Sequence, residues 1–180
     1  MSQKPQCPPG LTQEEKDRFW MAYAINLAKK AESTGEVPVG AVMVIDDQWL
    51  AEGWNQSIQG NDPTAHAEML AIRAAGQVLE NYRMPETTLY VTLEPCPMCA
   101  GALVHARVKR IVYGAADPRT GAVDSVFELV SDDRLNHQLD VGRGVLAHEC
   151  STQISGFFKM RRAQQKAQKQ QNKQILEKDD

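Results

Sequence analysis

The stretch TLYVTLEPCPMCAGA, residues 88–102, changes character halfway along. Its first half, residues 88–93, is rich in β-branched and aromatic side chains and predicts a strand. Its second half, from Pro95 to about Arg107, carries small residues behind an opening proline and predicts a short helix. A strand that feeds straight into a helix is the repeating unit of an α/β fold, and the flanking chain repeats the pattern. Upstream, Thr12-x-x-Glu15 fits a capping box, and Phe19, Tyr23 and Leu27 recur at helical spacing, which predicts a helix from Thr12 to about Thr34. Gly35 is a natural stop. Residues 37–45 read as an apolar strand and residues 46–48 as a turn, with a second strand over 49–54. A polar loop over 55–63 precedes a helix over about 64–80. Downstream, residues 110–113 read as a strand and 114–121 as a loop, while 122–137 admit no single assignment. A fifth strand falls within 138–145, and a long last helix runs from 146 to about 174. The expected fold is a three-layer α/β/α sandwich, a mixed sheet with helices on both faces.

The 180 residues fit one domain, with 42% hydrophobic and 24% charged residues. Residues 1–11 read as a disordered lead-in, 12–163 as the folded domain, and 164–180 as a basic, Gln/Lys-rich helical extension whose end frays. No apolar run is long enough for a transmembrane helix, and the opening residues do not read as an export signal. Four cysteines are too few for a disulfide framework, so a reducing, cytoplasmic setting is expected. The net charge of −3 hides an asymmetry: residues 156–180 hold seven of the 20 Lys and Arg and carry +4, and the remainder carries −7. Such a basic segment reads either as a solvated helix face or as a set of phosphate contacts. Trp20 and Phe19 read as core, as do Met43, Met69, Met98 and Met160.

Two segments carry the chemistry: Asp62-Pro-Thr-Ala-His66-Ala-Glu68 and Glu94-Pro-Cys96-Pro-Met-Cys99. His66, Cys96 and Cys99 form a Cys₂His set, the ligand type of a catalytic zinc site that keeps a fourth position for water. Cys96 and Cys99 are one helical turn apart at a helix N-terminus, where the helix dipole favours thiolates. On a regular helix His66 and Glu68 diverge by about 200°, so one can ligate while the other reaches the reacting water. Two thiolates cancel the formal charge of Zn²⁺ and weaken it as a Lewis acid, so a carboxylate must move the protons. Glu68 is the candidate. A closed structural zinc site is the alternative and would need a fourth ligand from Cys7, Cys150, His105, His137 or His148. A redox Cys-x-x-Cys is a further one.

H-x-E followed by P-C-x-x-C is a documented signature of zinc-dependent nucleobase deaminases, and the resemblance extends well beyond it. Residues 36–41 (EVPVGA), 53–55 (GWN), 62–68 (DPTAHAE), Tyr82-Arg83, 88–102, 120–122 (TGA) and 157–162 (FFKMRR) resemble the bacterial tRNA-specific adenosine deaminases. The similarity runs from about residue 15 to about 170. It implies a cytidine deaminase-like five-stranded sheet flanked by helices, one Zn²⁺ per subunit on His66, Cys96 and Cys99, and Glu68 as proton shuttle. It implies that Asn55, Val39, Ala67 and Pro95 line the substrate site. Asp117, Lys159, Arg161 and Arg162 are the expected RNA contacts. The implied reaction turns adenosine into inosine at the first anticodon position of a tRNA, an ACG-anticodon arginine tRNA, in a cytoplasmic homodimer with no DNA or membrane partner. The chain departs from the family pattern at Ala116, Arg119 and Asp124. Two rival functions share the motif: a deaminase of a free nucleobase or nucleotide, and a zinc-stabilised binding subunit without activity. The presence of Glu68 argues against the second.

Overall fold

The structure is a computed structural model that describes residues 4–176. Helix α1 (Gln13–Ser33) opens on the expected capping box: Thr12 accepts the Glu15 N–H, and the Glu15 carboxylate accepts the Thr12 N–H. Strands β1 (Gly40–Ile45) and β2 (Gln48–Trp54) form an antiparallel hairpin. Its two turn residues, Asp46 and Asp47, both have positive φ (49° and 58°), the geometry that matches the strands' twist. A short helix α2 (Ser57–Gly60) follows, then α3 (Ala67–Leu79), β3 (Thr87–Leu93), α4 (Pro97–His105), β4 (Arg110–Ala115), β5 (Asp140–Gly142) and α5 (Ala147–Leu176).

The sheet order is β2-β1-β3-β4-β5. β1 pairs antiparallel with β3, while β3–β4 and β4–β5 are parallel, so the sheet is mixed as expected. The period of two along each strand separates two cores. Ala41, Met43, Leu89, Val91 and Ile111 face a core shared with α3 and α4. Val42, Val44, Tyr90 and Val112 face one shared with α1 and Cys150 of α5. Burial on both faces explains why β1 reads as a continuous apolar run rather than an alternating one.

The structure refines the sequence reading in several places. β1 starts at Gly40, because Val37–Val39 is tied by a Val39 N–H to Val37 carbonyl bond. The expected loop 55–63 contains α2. The next helix starts at Ala67, because Asp62 accepts both the N–H and the hydroxyl of Thr64 and closes a turn first. Residues 122–137 form turns without a strand, closed by the Leu139 N–H to Val130 carbonyl bond. Residues 4–11 lie against the sheet: Gln6 bridges to Gln48, Lys4 Nζ sits 4.3 Å from the centre of the Trp49 ring, and Cys7 packs on the core shared with α1. Met160 is 43% exposed rather than core, whereas Trp20 and Met43 are fully buried. Phe157 packs inward and Phe158 faces solvent. The 164–180 extension, whose last turns are expected to fray, is helical through Leu176, and residues 177–180 lie outside the described residues. Among the described residues no helix is long and apolar enough to cross a membrane.

Candidate active site

Two helix N-termini meet at the carboxyl end of β3. His66 occupies the N-cap position of α3, with extended backbone (φ −76°, ψ 154°). Cys96 occupies the N-cap of α4 (φ −72°, ψ 170°), and Pro97 follows where no N–H is needed. His66 therefore stands just outside its helix, and the regular-helix angle to Glu68 does not apply; both residues border the same pocket. His66 Nδ1 lies 3.7 Å from Cys96 Sγ and 3.6 Å from Cys99 Sγ. The three donor atoms all lie within 4.8 Å of one another. Tetrahedral zinc, with about 2.3 Å to sulfur and about 2.0 Å to nitrogen, requires an N···S spacing of about 3.6 Å. The donor set and its spacing therefore fit Zn²⁺. None of the alternative fourth ligands (Cys7, Cys150, His105, His137, His148) belongs to the cluster among the described residues.

The electrostatics agree with a site for a cation. The Cys99 thiol and then His66 hold the Cys96 thiol far below its ordinary 9.0, at about 4. The bond to Cys96, together with burial, pushes the Cys99 thiol up. Cys96 raises the His66 pKa. Glu68 is 4% exposed, and burial raises its carboxyl above 4.5. It is the only acid on α3 and stands in the helix's first turn, two residues from His66.

The pocket around these groups measures about 180 Å³. A cavity of about 150 Å³ holds one benzene ring, so this one has room for a single ring-sized group. Val39 and Asn55 line the pocket, with Val37 and Leu93 beside them. The Asn55 N–H bonds the Val39 carbonyl, and its side-chain oxygen accepts the Ala67 N–H at 2.9 Å. Ala67 and Pro95 are buried and are not among the residues that line the pocket; the Pro95 carbonyl accepts the Ala122 N–H. Asp117 borders the pocket with Thr120. Its carboxylate accepts from the Arg119 and Thr120 N–H groups and the Thr120 hydroxyl, which shapes its own loop. Lys159, Arg161 and Arg162 lie exposed along α5 and do not line the pocket. A larger cleft of about 570 Å³ beside Ile72 and Tyr82 carries no metal-ligand cluster.

Sequence reasoning missed two buried glutamates. Glu36, 1% exposed, accepts the Ile58 and Gln59 N–H groups. Glu94, 2% exposed, accepts N–H groups from the opposite side of the pocket, including that of Asp117. Burial works to raise the Glu94 carboxyl. The bonds from Ser125, Asp124 and Asp117 outweigh it and hold the pKa below 4.5. The only signal in the sequence is an acid at the end of an apolar strand.

A five-stranded mixed sheet, two helix N-termini and a zinc-spaced Cys₂His set beside a buried glutamate define a zinc-binding deaminase. The chain belongs to the cytidine and deoxycytidylate deaminase family, whose zinc-binding region matches residues 14–115. Its relatives there include the tRNA-specific adenosine deaminase of Haemophilus influenzae, 52% identical over 165 residues, covering 91% of this chain and 95% of the relative. The tRNA-specific adenosine deaminase of Bacillus subtilis is 47% identical over 151 residues, covering 84% and 94%. A solved structure from studies of A-to-I editing by tRNA:A34 deaminases at the wobble position of transfer RNA superposes with a TM-score of 0.72 at 42% identity, covering 74% of this chain and 97% of that one.

Proposed function

We propose that this protein is a zinc-dependent hydrolase that converts adenosine to inosine at the wobble position of a tRNA, an ACG-anticodon arginine tRNA, releasing ammonia. The observation that carries the reading is the buried Glu68 beside His66, Cys96 and Cys99 in a pocket with room for a single ring-sized group, in a chain 52% identical to a tRNA-specific adenosine deaminase along nearly all its length.

His66, Cys96 and Cys99 would hold the zinc. Bound zinc supplies an activated water at neutral pH. Glu68 removes a proton from the attacking water and passes it to N1 of adenine as oxygen adds to C6. It then delivers the second proton to the amine, the C6–N bond breaks, and ammonia leaves. The raised carboxyl of Glu68 suits both directions of transfer. Asn55 and Val39 orient the base, and the Ala67 N–H fixes the Asn55 amide, with Pro95 buried next to Cys96. The base must leave its stack to enter, which costs less in a flexible anticodon loop than in a duplex. That favours RNA over DNA. Lys159, Arg161 and Arg162 are proposed to contact anticodon-stem phosphates, which position the substrate without reading sequence, and Asp117 to border the nucleotide. A deaminase domain over residues 12–163, a homodimer and a cytoplasmic location complete the reading.

The test is inosine formation. Zinc-loaded protein is mixed with unmodified ACG-anticodon arginine tRNA, and the wobble position is read by reverse transcription, with Glu68→Ala alongside. The intact protein should form inosine, and the variant should be slower by about 10²–10⁴-fold with its zinc retained. No inosine from zinc-replete protein, with turnover of a free purine or cytosine instead, would replace this reading with that of a free-base deaminase.

A further inference from the structure

The loop that closes one side of the pocket is gathered onto a single carboxylate. Glu94 Oε1 accepts the backbone N–H groups of Val123 (3.2 Å), Asp124 (2.9 Å) and Ser125 (2.9 Å). Oε2 accepts the Asp117 N–H (2.9 Å) and the Ser125 hydroxyl. None of these five donors is a Lys or Arg, so the carboxylate organises backbone rather than neutralising a cation. Gly121 approaches the same carboxylate so closely that a Cβ there would collide with it. From outside, Asp124 accepts the Tyr113 hydroxyl (2.8 Å) and a two-pronged ion pair from Arg143 (2.6 and 2.9 Å). The inner end of this loop is Asp117, which borders the pocket with Thr120.

We propose that Glu94 is a positioning residue for substrate binding: it holds the 117–125 loop in place, so that the pocket mouth is formed before the nucleotide arrives. The proposal rests on the base-deaminating reading of the site. Glu94 sits two residues before Cys96 at the β3–α4 junction, so the rigid segment that carries a metal ligand also anchors the mouth. A mouth ordered in advance spares the substrate the entropy of ordering it. The effect therefore belongs in KM rather than in the chemical step.

Glu94→Gln separates this role from a merely structural one. The Gln carbonyl can keep the three N–H bonds on the Oε1 side. Its NH₂ then faces the Asp117 N–H, donor against donor, while the Ser125 hydroxyl can rotate and accept. The substitution thus frees the pocket end of the loop alone. In full-length, zinc-loaded protein, hydrogen exchange at the Asp117 amide should speed up by about tenfold or more, with smaller changes at 123–125. KM for an ACG anticodon stem-loop RNA should rise about tenfold, with kcat falling less than about threefold and zinc content unchanged. Ser125→Ala, which removes the hydroxyl and keeps all four N–H donors, should change KM by less than about threefold.

Unchanged exchange at Asp117 would overturn the proposal. So would a fall in kcat at constant KM, which would place Glu94 in the chemistry, or loss of zinc, which would make it a support for Cys96. If Glu94→Gln does not fold, Gly121→Ala, which presses on the same carboxylate and leaves it charged, takes its place with the same readouts. Absence of inosine from the unaltered protein on any RNA would sink the tRNA reading separately. The exchange measurement would still decide the role of Glu94.

Discussion

At the pocket wall the Asn55 amide faces two ways. Its oxygen accepts the Ala67 N–H, one of the donors left open at the start of α3, directly beside His66. Its nitrogen has no protein partner among the described residues, and the residue borders the pocket, so a donor is available to the substrate. Asn55→Ala removes both. It should lower stability by about 1 kcal/mol, the usual loss for one hydrogen bond, and raise KM for the tRNA more than it lowers kcat. Thermal unfolding and steady-state kinetics check the two halves; a variant with unaltered KM would remove Asn55 from the substrate contacts. At this scale the ligand types were legible in the sequence. His-x-Glu and Cys-x-x-Cys are local patterns whose spacing constrains which atoms can converge. Glu94 and Glu36 were not legible, because their partners are backbone N–H groups of distant loops, and backbone donors look alike in any sequence.

Among the elements, α3 matters most to the site, because it carries His66 at its cap and Glu68 in its first turn. It lies against β2, and Gly53 permits the approach: a Cβ there would meet the Ala67 carbonyl and sit 2.7 Å from the Ala71 N. Gly53→Ala must push α3 away from the sheet. The expected cost is about 1–3 kcal/mol of overpacking, and His66 should move away from the cysteines. Zinc stoichiometry should therefore fall along with the melting temperature. A variant that melts lower yet binds zinc fully would show that α3 and the cysteine helix shift together. The helix boundaries were the least legible part. Thr64 looks like a helix start by composition, but Asp62 captures its N–H and hydroxyl in a turn. That delay makes His66 a cap rather than an interior residue.

Across the whole molecule, α1 is fastened to the sheet by a partly buried ion pair. Arg110 on β4 donates two bonds of 2.7 Å to Asp17, and Tyr90 and Gln13 add bonds of 2.8 Å. Burial works to raise the Asp17 carboxyl, but the bonds from Arg110, Gln13 and Tyr90 prevail and hold it below 3.8. A depressed folded value means that the bound form is the carboxylate. Its stabilisation is therefore present above the unfolded value of 3.8 and is lost as the pH falls through the lower folded value. Denaturant melts at stepped pH should show stability declining below about pH 4. Asp17→Asn should flatten that decline and cost about 3 kcal/mol at neutral pH, because Arg110 is left without its partner. An equally steep acid decline in Asp17→Asn would assign the effect to other carboxylates. Neither Asp17 nor Arg110 stands out in the sequence, since they are 93 residues apart and each resembles an ordinary surface charge.

The sequence alone determined the order and kind of most elements, because hydrophobic period and turn residues act over a few positions. It also marked the candidate ligand set, because metal chemistry selects residue types and a helical turn sets their spacing, and the charge asymmetry, which is a matter of counting. Only the tertiary structure decided what depends on long-range register. His66 meets Cys96 across 30 residues of chain because α3 and α4 pack on the same face of one sheet. The mouth loop closes on Glu94 because β3 delivers a carboxylate to a site where water cannot compete for it.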